Sequence, residues 1–283
     1  MNAKSPTLEQ LRQTPHWSYS RLNGLLGFCS LAWAFKYAYG ESPEFTPVSL
    51  VFGSAFHSAL ALAFDEKRRT GAVSPERATE LFRDRIAGEL NSNRPPKVRL
   101  DEKTTRESLC QLGTRMIEIY LDQLDPEERI VDVSVPFTVA LPGVEKPLIG
   151  EIDAIVERDG RQTVLDWKTS ARRWPAGKAA TDLQPTVYLS ARAESEGNWE
   201  TDFRFDVVTK TKTPVCERHR TTRSPEAAQR LAAIIRVLRR RVWAEVFHPT
   251  DQSWECANCP YTRPCRTWHR DREKVQVDFG RAA

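Results

Sequence analysis

Two carboxylates and an amine stand closest to chemistry. Asp153 lies in Gly150-Glu151-Ile152-Asp153-Ala154, and Asp166-Trp167-Lys168 follows after a short apolar stretch. Side chains alternate along a strand, so Asp166 and Lys168 share one face. A hairpin at Asp159-Gly160 would fold Asp153 beside them. Taking such charges out of water is costly unless something pairs them. A hard divalent cation would do so, because Mg²⁺ takes oxygen ligands and keeps several waters. Lys168 then lies within reach of a metal-bound water. A surface hairpin with a salt bridge is the plainer reading of the same residues.

Three other side chains could join them. His57 sits among Ala55, Phe56, Ala59, Leu60 and Ala61, a setting that suits a core histidine as well as a ligand. Gln184 and Tyr188 are four apart and share one helical face, with Pro185 tolerated in the first turn behind Asp182 as N-cap. Six cysteines are present: Cys29, Cys110, Cys216, Cys256, Cys259 and Cys265. The spacing Cys256-x2-Cys259-x5-Cys265, among Asn258, Pro260 and Pro264, suits thiolates converging on a metal or cluster. Structural zinc and cubane clusters take four ligands, and Cys29, Cys110, Cys216 and His269 are the candidates for the fourth.

Positioning these groups requires an α/β chain with a helical lead-in. Residues 17–39, 54–69, 76–91 and 103–124 read as helices, the second capped by Ser54. Residues 131–135, 137–141, 148–156 and 163–168 read as strands, followed by a helix over 182–196 and a strand over 203–209. A long helix over 225–247 begins with Ser224 as N-cap and Pro225 at its first position. The expected organisation is one integrated domain. It comprises a helical region over 1–125 with Cys29 and His57, a sheet with the site over 126–224, and a helix with a Cys-rich tail over 225–283.

The chain has 283 residues, 40% hydrophobic and 28% charged, which excludes a disordered chain, a collagen-like fibre and a small disulfide scaffold. No run approaches the ~20 consecutive apolar residues of a bilayer span. Met1-Asn2-Ala3-Lys4-Ser5-Pro6 carries no apolar signal core, so a reducing cytoplasm is the expected setting, with no membrane partner. The 42 lysines and arginines barely exceed 38 acids, yet Arg204 to Arg241 holds eleven of the former against three of the latter. That imbalance reads as a footprint for a polyanion or as a solvated helix face.

The ordered set Cys29, His57, Asp153, Asp166-x-Lys168, Gln184-x3-Tyr188 and Cys256-x2-Cys259-x5-Cys265 resembles the PD-(D/E)XK nuclease superfamily. More narrowly, it resembles the iron–sulfur branch shared by RecB/AddB nuclease domains and CRISPR-associated adaptation exonucleases. Ser18-Tyr19-Ser20-Arg21-Leu22, ahead of Cys29, fits the same branch. The likeness runs from about residue 18 to 268, although 70–125 matches nothing recognisable. Val164-Leu165 precedes Asp166 where the superfamily's name has Pro-Asp, and Asp153 takes the place of that first acid.

The resemblance implies a restriction-endonuclease-like core, a mixed central sheet flanked by helices. It implies a metal-dependent DNA exonuclease, acting on single-stranded DNA or on free ends, in repair, recombination or CRISPR adaptation. Asp153, Asp166 and the Trp167 carbonyl would hold Mg²⁺ or Mn²⁺, with His57 favouring the transition metal. Lys168 would act on the attacking water, and Gln184 and Tyr188 would position the strand. Cys29, Cys256, Cys259 and Cys265 would hold a 4Fe–4S cluster, with Zn²⁺ as the alternative. Lys210, Lys212, Arg239, Arg240 and Arg241 would track the DNA backbone, and Trp167 and Trp174 either stack on bases or, the plainer reading, pack in the core or at its rim. A homo-oligomer is compatible with this reading, as is a scaffold that binds DNA without cutting it.

Overall fold

The computed structural model describes residues 6–27, 29–251 and 253–271. The reading of Met1 to Ser5 as free of a signal, and the place of Phe28 in the first helix, fall outside them. The lead-in comprises α1 (Leu8–Leu11), α2 (Tyr19–Gly27), α3 (Ser30–Tyr37), β1 (Thr46–Pro47), α4 (Val48–Thr70), α5 (Pro75–Asn91), β2 (Val98–Arg99) and α6 (Arg106–Asp122). The sheet region follows as β3 (Arg129–Val139), β4 (Leu148–Arg158), β5 (Arg161–Ser170), α7 (Lys178–Thr181), α8 (Gln184–Glu196), β6 (Asp202–Thr209) and β7 (Cys216–Thr221). The chain continues through α9 (Pro225–Trp243), a 3-10 turn at Trp254–Asn258 and α10 (Thr262–Asp271).

The five large strands form one mixed sheet in the order β3-β4-β5-β6-β7, antiparallel except where β5 and β6 run parallel. That parallel pair needs a crossover, which α7 and α8 supply. On one face Phe52, Phe56 and Phe64 of α4, Phe82 of α5 and Tyr120 of α6 pack against Leu165 and Trp167. On the other, Val187 and Tyr188 of α8 and Leu231 and Ile235 of α9 cover Val164, Phe203 and Phe205, joined by Leu22, Leu25 and Leu31 of the lead-in. Burial on both faces explains why Phe203–Thr209 is an almost continuous buried run.

Several expected boundaries move. The helix over 17–39 breaks into α2 and α3, with Cys29 in extended conformation (φ −90°, ψ 116°) as the N-cap of α3. The second helix starts at Val48 rather than after Ser54, and Pro47 precedes it with no side-chain cap. Packing of Val51 and Phe52 in the core carries the helix through Gly53. The two strands expected over 131–141 are one, bent by a bulge between Ile130 and Asp132 and by Ser134 at φ 53°. Pro136 fits because β3 is an edge strand. Strand β7 escaped the sequence because Cys216-Glu217-Arg218-His219-Arg220-Thr221 has no apolar alternation; it pairs only at the sheet's other edge. The last long helix ends at Trp243, short of 247.

Asp159 (φ 52°) and Gly160 (φ 73°) both take left-handed backbone, as a tight two-residue hairpin turn requires. Among the described residues one helix, α4, is long and apolar enough to cross a membrane by length and mean composition, although no unbroken apolar run of that length occurs in it. Its apolar stripe instead covers the sheet and faces α5 and α6.

Candidate active site

The site forms where β4 and β5 part. Their ladder ends at Ala154 opposite Leu165, and the next residue along β5 is Asp166 while the preceding one on β4 is Asp153. Past the fork the Trp167 N–H donates to Asp153 Oδ2 at 2.8 Å. One carboxylate oxygen thus substitutes for a strand partner and fixes Asp153 against β5. Its other oxygen, Oδ1, meets His57 Nδ1 at 3.1 Å. The edge of β4 left open by β5 is taken by the N-terminal segment: Trp17 N–H donates to the Pro147 carbonyl and Ile149 N–H to the Trp17 carbonyl.

Asp166 is 3% exposed at its side chain, a severe position for a carboxylate. Gln184 Nε2 donates to Oδ1. The Lys168 ammonium pairs with Oδ2, so each oxygen of this buried carboxylate is met by one donor. Burial pushes Asp166 up to about 6, with Lys168 opposing and Asp153 adding to the rise. At His57 burial pulls the imidazole down, and Asp153, with Asp166 behind it, more than reverses this, leaving it raised. Tyr188 packs its ring on Phe137 and Phe203, and burial, then Asp166 and Asp153, drives its hydroxyl well above the phenol range. The expected residues His57, Asp153, Asp166, Lys168, Gln184 and Tyr188 therefore share one locus.

Among the described residues, no three His, Cys, Asp or Glu side chains close into a metal-ligating group. His57 and Asp153 form one pair, and Asp166 turns to Gln184 and Lys168. The donor set nevertheless fits a hard divalent cation: two carboxylates meet at one fork, Asp166 with its side chain almost wholly buried and Asp153 beside it, with an imidazole against them.

Two groups near this locus had no assigned role. The Tyr19 hydroxyl bonds to Asp182 and lies in the field of Asp166; the signal was its place in Ser18-Tyr19-Ser20. Burial, then Asp153, raises Glu151, against the pull of Arg12 and His57. A group so close to the fork was visible in Gly150-Glu151-Ile152-Asp153.

Other expectations are corrected. Trp167 cannot stack on a base: it is buried, with Nε1 donating to the Tyr120 hydroxyl at 2.8 Å. Trp174 packs edge-on to Phe205 and carries the Lys178 ammonium 3.9 Å from its ring centroid. Nor do the basic residues from 204 to 241 form one stripe. Arg204 is buried between Glu128 and Asp206, Arg223 binds the carbonyls of Ala179 and Asp182, and Arg239 pairs with Glu145 at 2.8 Å. Alternation between β6, β7 and α9 scatters these charges over different faces.

The cysteines sit at the other end of the molecule's packing. Ser30 Oγ and the Leu31 N–H both donate to the His248 carbonyl, fastening the start of α3 to the chain beyond α9. Cys29 Sγ points to the same carbonyl at 3.8 Å. Burial raises Cys259 and Cys265, and each also feels Cys29 and Cys256. Cys259 and Cys265 thus lie within electrostatic reach of Cys29 and Cys256, although among the described residues they do not close into a metal-ligating group, whereas Cys110 lies on α6 and Cys216 on β7. The side chain of His269 lies outside the described residues.

No curated protein matches the chain. Among solved structures, a protein of Eubacterium rectale described as an exonuclease only provisionally aligns at 14% identity, covering 94% of this chain and 93% of its own, with a TM-score of 0.54. That is a likeness of fold. A second, SSO0001, aligns at 11% identity over 77% of this chain and 84% of its own with a TM-score of 0.32, too low to carry an argument. The family model of the PD-(D/E)XK nuclease superfamily matches residues 16–266, from the strand-edge segment at Trp17 through both forked strands to Cys265, and the chain belongs to that superfamily.

Proposed function

We propose that this protein is a divalent-metal-dependent DNA exonuclease that hydrolyses phosphodiester bonds at single-stranded ends. The observation that carries the reading is the buried Asp166 carboxylate, held by Gln184 and Lys168, beside Asp153 at the β4–β5 fork. Asp153 and Asp166 would hold Mg²⁺ or Mn²⁺, with the Trp167 carbonyl and His57 as further ligands. When bound, the cation would lower the pKa of a coordinated water and offset charge on the phosphate.

The chain's own groups do the rest. His57 and the Trp167 N–H fix the two oxygens of Asp153. Gln184 locks Asp166 from α8. Lys168, half-buried and already turned to Asp166, is placed to orient the attacking water and to meet charge developing on the phosphate oxygens. Lys210, at the end of β6 beside Ser170, is held below the usual ammonium range by burial and would accept a phosphate of the strand.

Cys29, Cys256, Cys259 and Cys265 would hold a 4Fe–4S cluster. Cys259 and Cys265 within electrostatic reach of Cys29 and Cys256, and no basic side chain among the influences on either, support that donor set. A reducing cytoplasm is the setting that keeps them available. Recombination, repair or CRISPR adaptation are the settings that the iron–sulfur likeness suggests.

End-labelled single- and double-stranded oligonucleotides incubated with Mn²⁺ or Mg²⁺ test the function. Stepwise shortening of the single strand, lost on chelation and lost in Asp166→Ala, is expected. Equal digestion by wild type and Asp166→Ala would remove the site; binding without cleavage by the wild type under every metal would leave a DNA-binding scaffold instead.

A further inference from the structure

A cavity of about 880 Å³ lies outside the forked strands, between the N-terminal segment before α2, α3, the β3–β4 turn and the C-terminal half of α9. Six cations line it: Arg12, Arg21, Lys146, Arg236, Arg239 and Arg240. The single lining carboxylate, Glu145, is bonded to Arg239. Aromatic rings interleave with the charges. Trp17 and Trp33 are buried in the wall, the Arg21 guanidinium lies 5.1 Å from the Tyr37 ring centroid, and Trp243 stands 72% exposed at the rim.

Several of the arginines turn to backbone carbonyls rather than to carboxylates. Arg21 spends one nitrogen on the His16 carbonyl and Arg236 one on the Pro142 carbonyl. Burial holds His16 low, and Arg21, Arg12 and Lys146 hold it lower, against the Thr14 carbonyl. Burial also depresses Lys146, with Arg21 and Arg239 adding to the effect against Glu145. These basic groups crowd one another in a space that would be relieved by an anion.

Trp243 has no comparable explanation in the core. An exposed indole beside a basic groove is a platform for an unpaired base. The position of the cavity sets its relation to the cutting site. The β3–β4 turn at its wall leads directly into β4, and Leu148 lies five residues from Asp153. Arg12 bridges the interval electrostatically, since it acts on Glu151.

We propose that this cavity is an anchor for single-stranded nucleic acid, holding the substrate strand away from the bond cleaved at the β4–β5 fork, with phosphates on Arg12, Arg236 and Arg240 and a base on Trp243. The assignment of the strand rests on the proposed nuclease function; the affinity of the cavity does not.

The test separates the two. Binding of a fluorescein-labelled 20-nucleotide oligothymidylate is measured by anisotropy in EDTA, so that no cleavage occurs, for wild type, Trp243→Ala, Arg240→Gln and Asp166→Ala. Trp243 and Arg240 are exposed, so both variants are expected to keep the wild-type circular dichroism and melting temperature. Trp243→Ala and Arg240→Gln should each weaken the 20-mer about tenfold, and Arg240→Gln should lower the salt slope by about one. With Mn²⁺, cleavage of the 20-mer at subsaturating concentration should fall in both variants, while kcat at saturation is retained.

Wild-type affinity for the 20-mer in both surface variants would overturn the anchor. So would polyglutamate displacing the 20-mer as effectively as unlabelled oligothymidylate, which would mark an acidic-protein site. Failure of the nuclease reading shows separately, as absent Mn²⁺-dependent cleavage in the wild type, and leaves the anisotropy readings to decide the anchor.

Discussion

Asp166 concentrates the tension between stability and chemistry. Its carboxyl is buried, bonded by Gln184 and faced by Lys168, yet burial still lifts it to about 6. A carboxyl whose folded pKa exceeds its unfolded value binds more protons when folded between roughly pH 4 and 6. Its contribution to stability is therefore best below that window and deteriorates as pH rises through it. In metal-free protein, Asp166→Asn removes the buried charge. Urea unfolding at pH 7.5 should show the variant more stable than wild type, by on the order of 2–3 kcal/mol from the same shift, with the gap closing as pH falls toward 4. A variant that is less stable than wild type at pH 7.5 would contradict that balance. Its nuclease activity should nevertheless be lost, because an amide cannot supply the charge that Asp166 offers.

At the scale of elements, the fork depends on what lies behind it. Trp167 supplies its backbone N–H to Asp153 and its indole N–H to Tyr120; the Tyr120 hydroxyl donates to Asp206 Oδ2 at 2.9 Å, and Arg204 Nε donates to Asp206 Oδ1 at 2.8 Å. This buried polar chain runs from α6 through β6 to the site and ties helix position to carboxylate position. The α5–α6 contact that seats α6 is unusually close. A methyl at Gly113 would meet Phe82 Cε1 at 2.0 Å, against a ring that is wholly buried. Helix propensity alone favours alanine there by ~1 kcal/mol, whereas overpacking costs ~1–3 kcal/mol. Gly113→Ala should therefore lower the thermal midpoint and the urea midpoint rather than raise them. A control, Gly88→Ala on α5, meets nothing within 4 Å and should follow propensity upward.

Over the whole molecule, the cysteines join segments far apart in sequence, Cys29 before α3 and three thiols after α9. A bound cluster would add a cross-link across more than two hundred residues to the hydrogen bonds that Ser30 and Leu31 make to His248. Cys29→Ser should reduce iron content and the absorbance near ~400 nm expected of such a cluster in anaerobically purified protein, and lower the melting temperature. Cys110→Ser and Cys216→Ser should leave iron unchanged, because neither thiol lies with the four. Stoichiometric zinc without iron would replace the cluster with a tetrahedral metal site.

Much of the local chemistry was legible in the residues. Period-two alternation and Asp159-Gly160 define the hairpin that brings Asp153 to Asp166, and the Gln184–Tyr188 spacing places both on one turn of α8. These are short-range relations governed by strand and helix geometry. The split of the first helix at Cys29, the extension of α4 through Gly53 and the polar edge strand β7 depend on distant packing partners that no local pattern encodes. The same holds for charge. The sequence shows a basic stretch from Arg204 to Arg241, but only the tertiary structure buries Arg204 in the core, turns Arg223 to backbone carbonyls and gathers Arg12, Arg21 and Lys146 with Arg236, Arg239 and Arg240 around one cavity. Composition fixes how much charge a chain carries; which charges meet water is decided by the face each strand and helix turns outward once the core has closed.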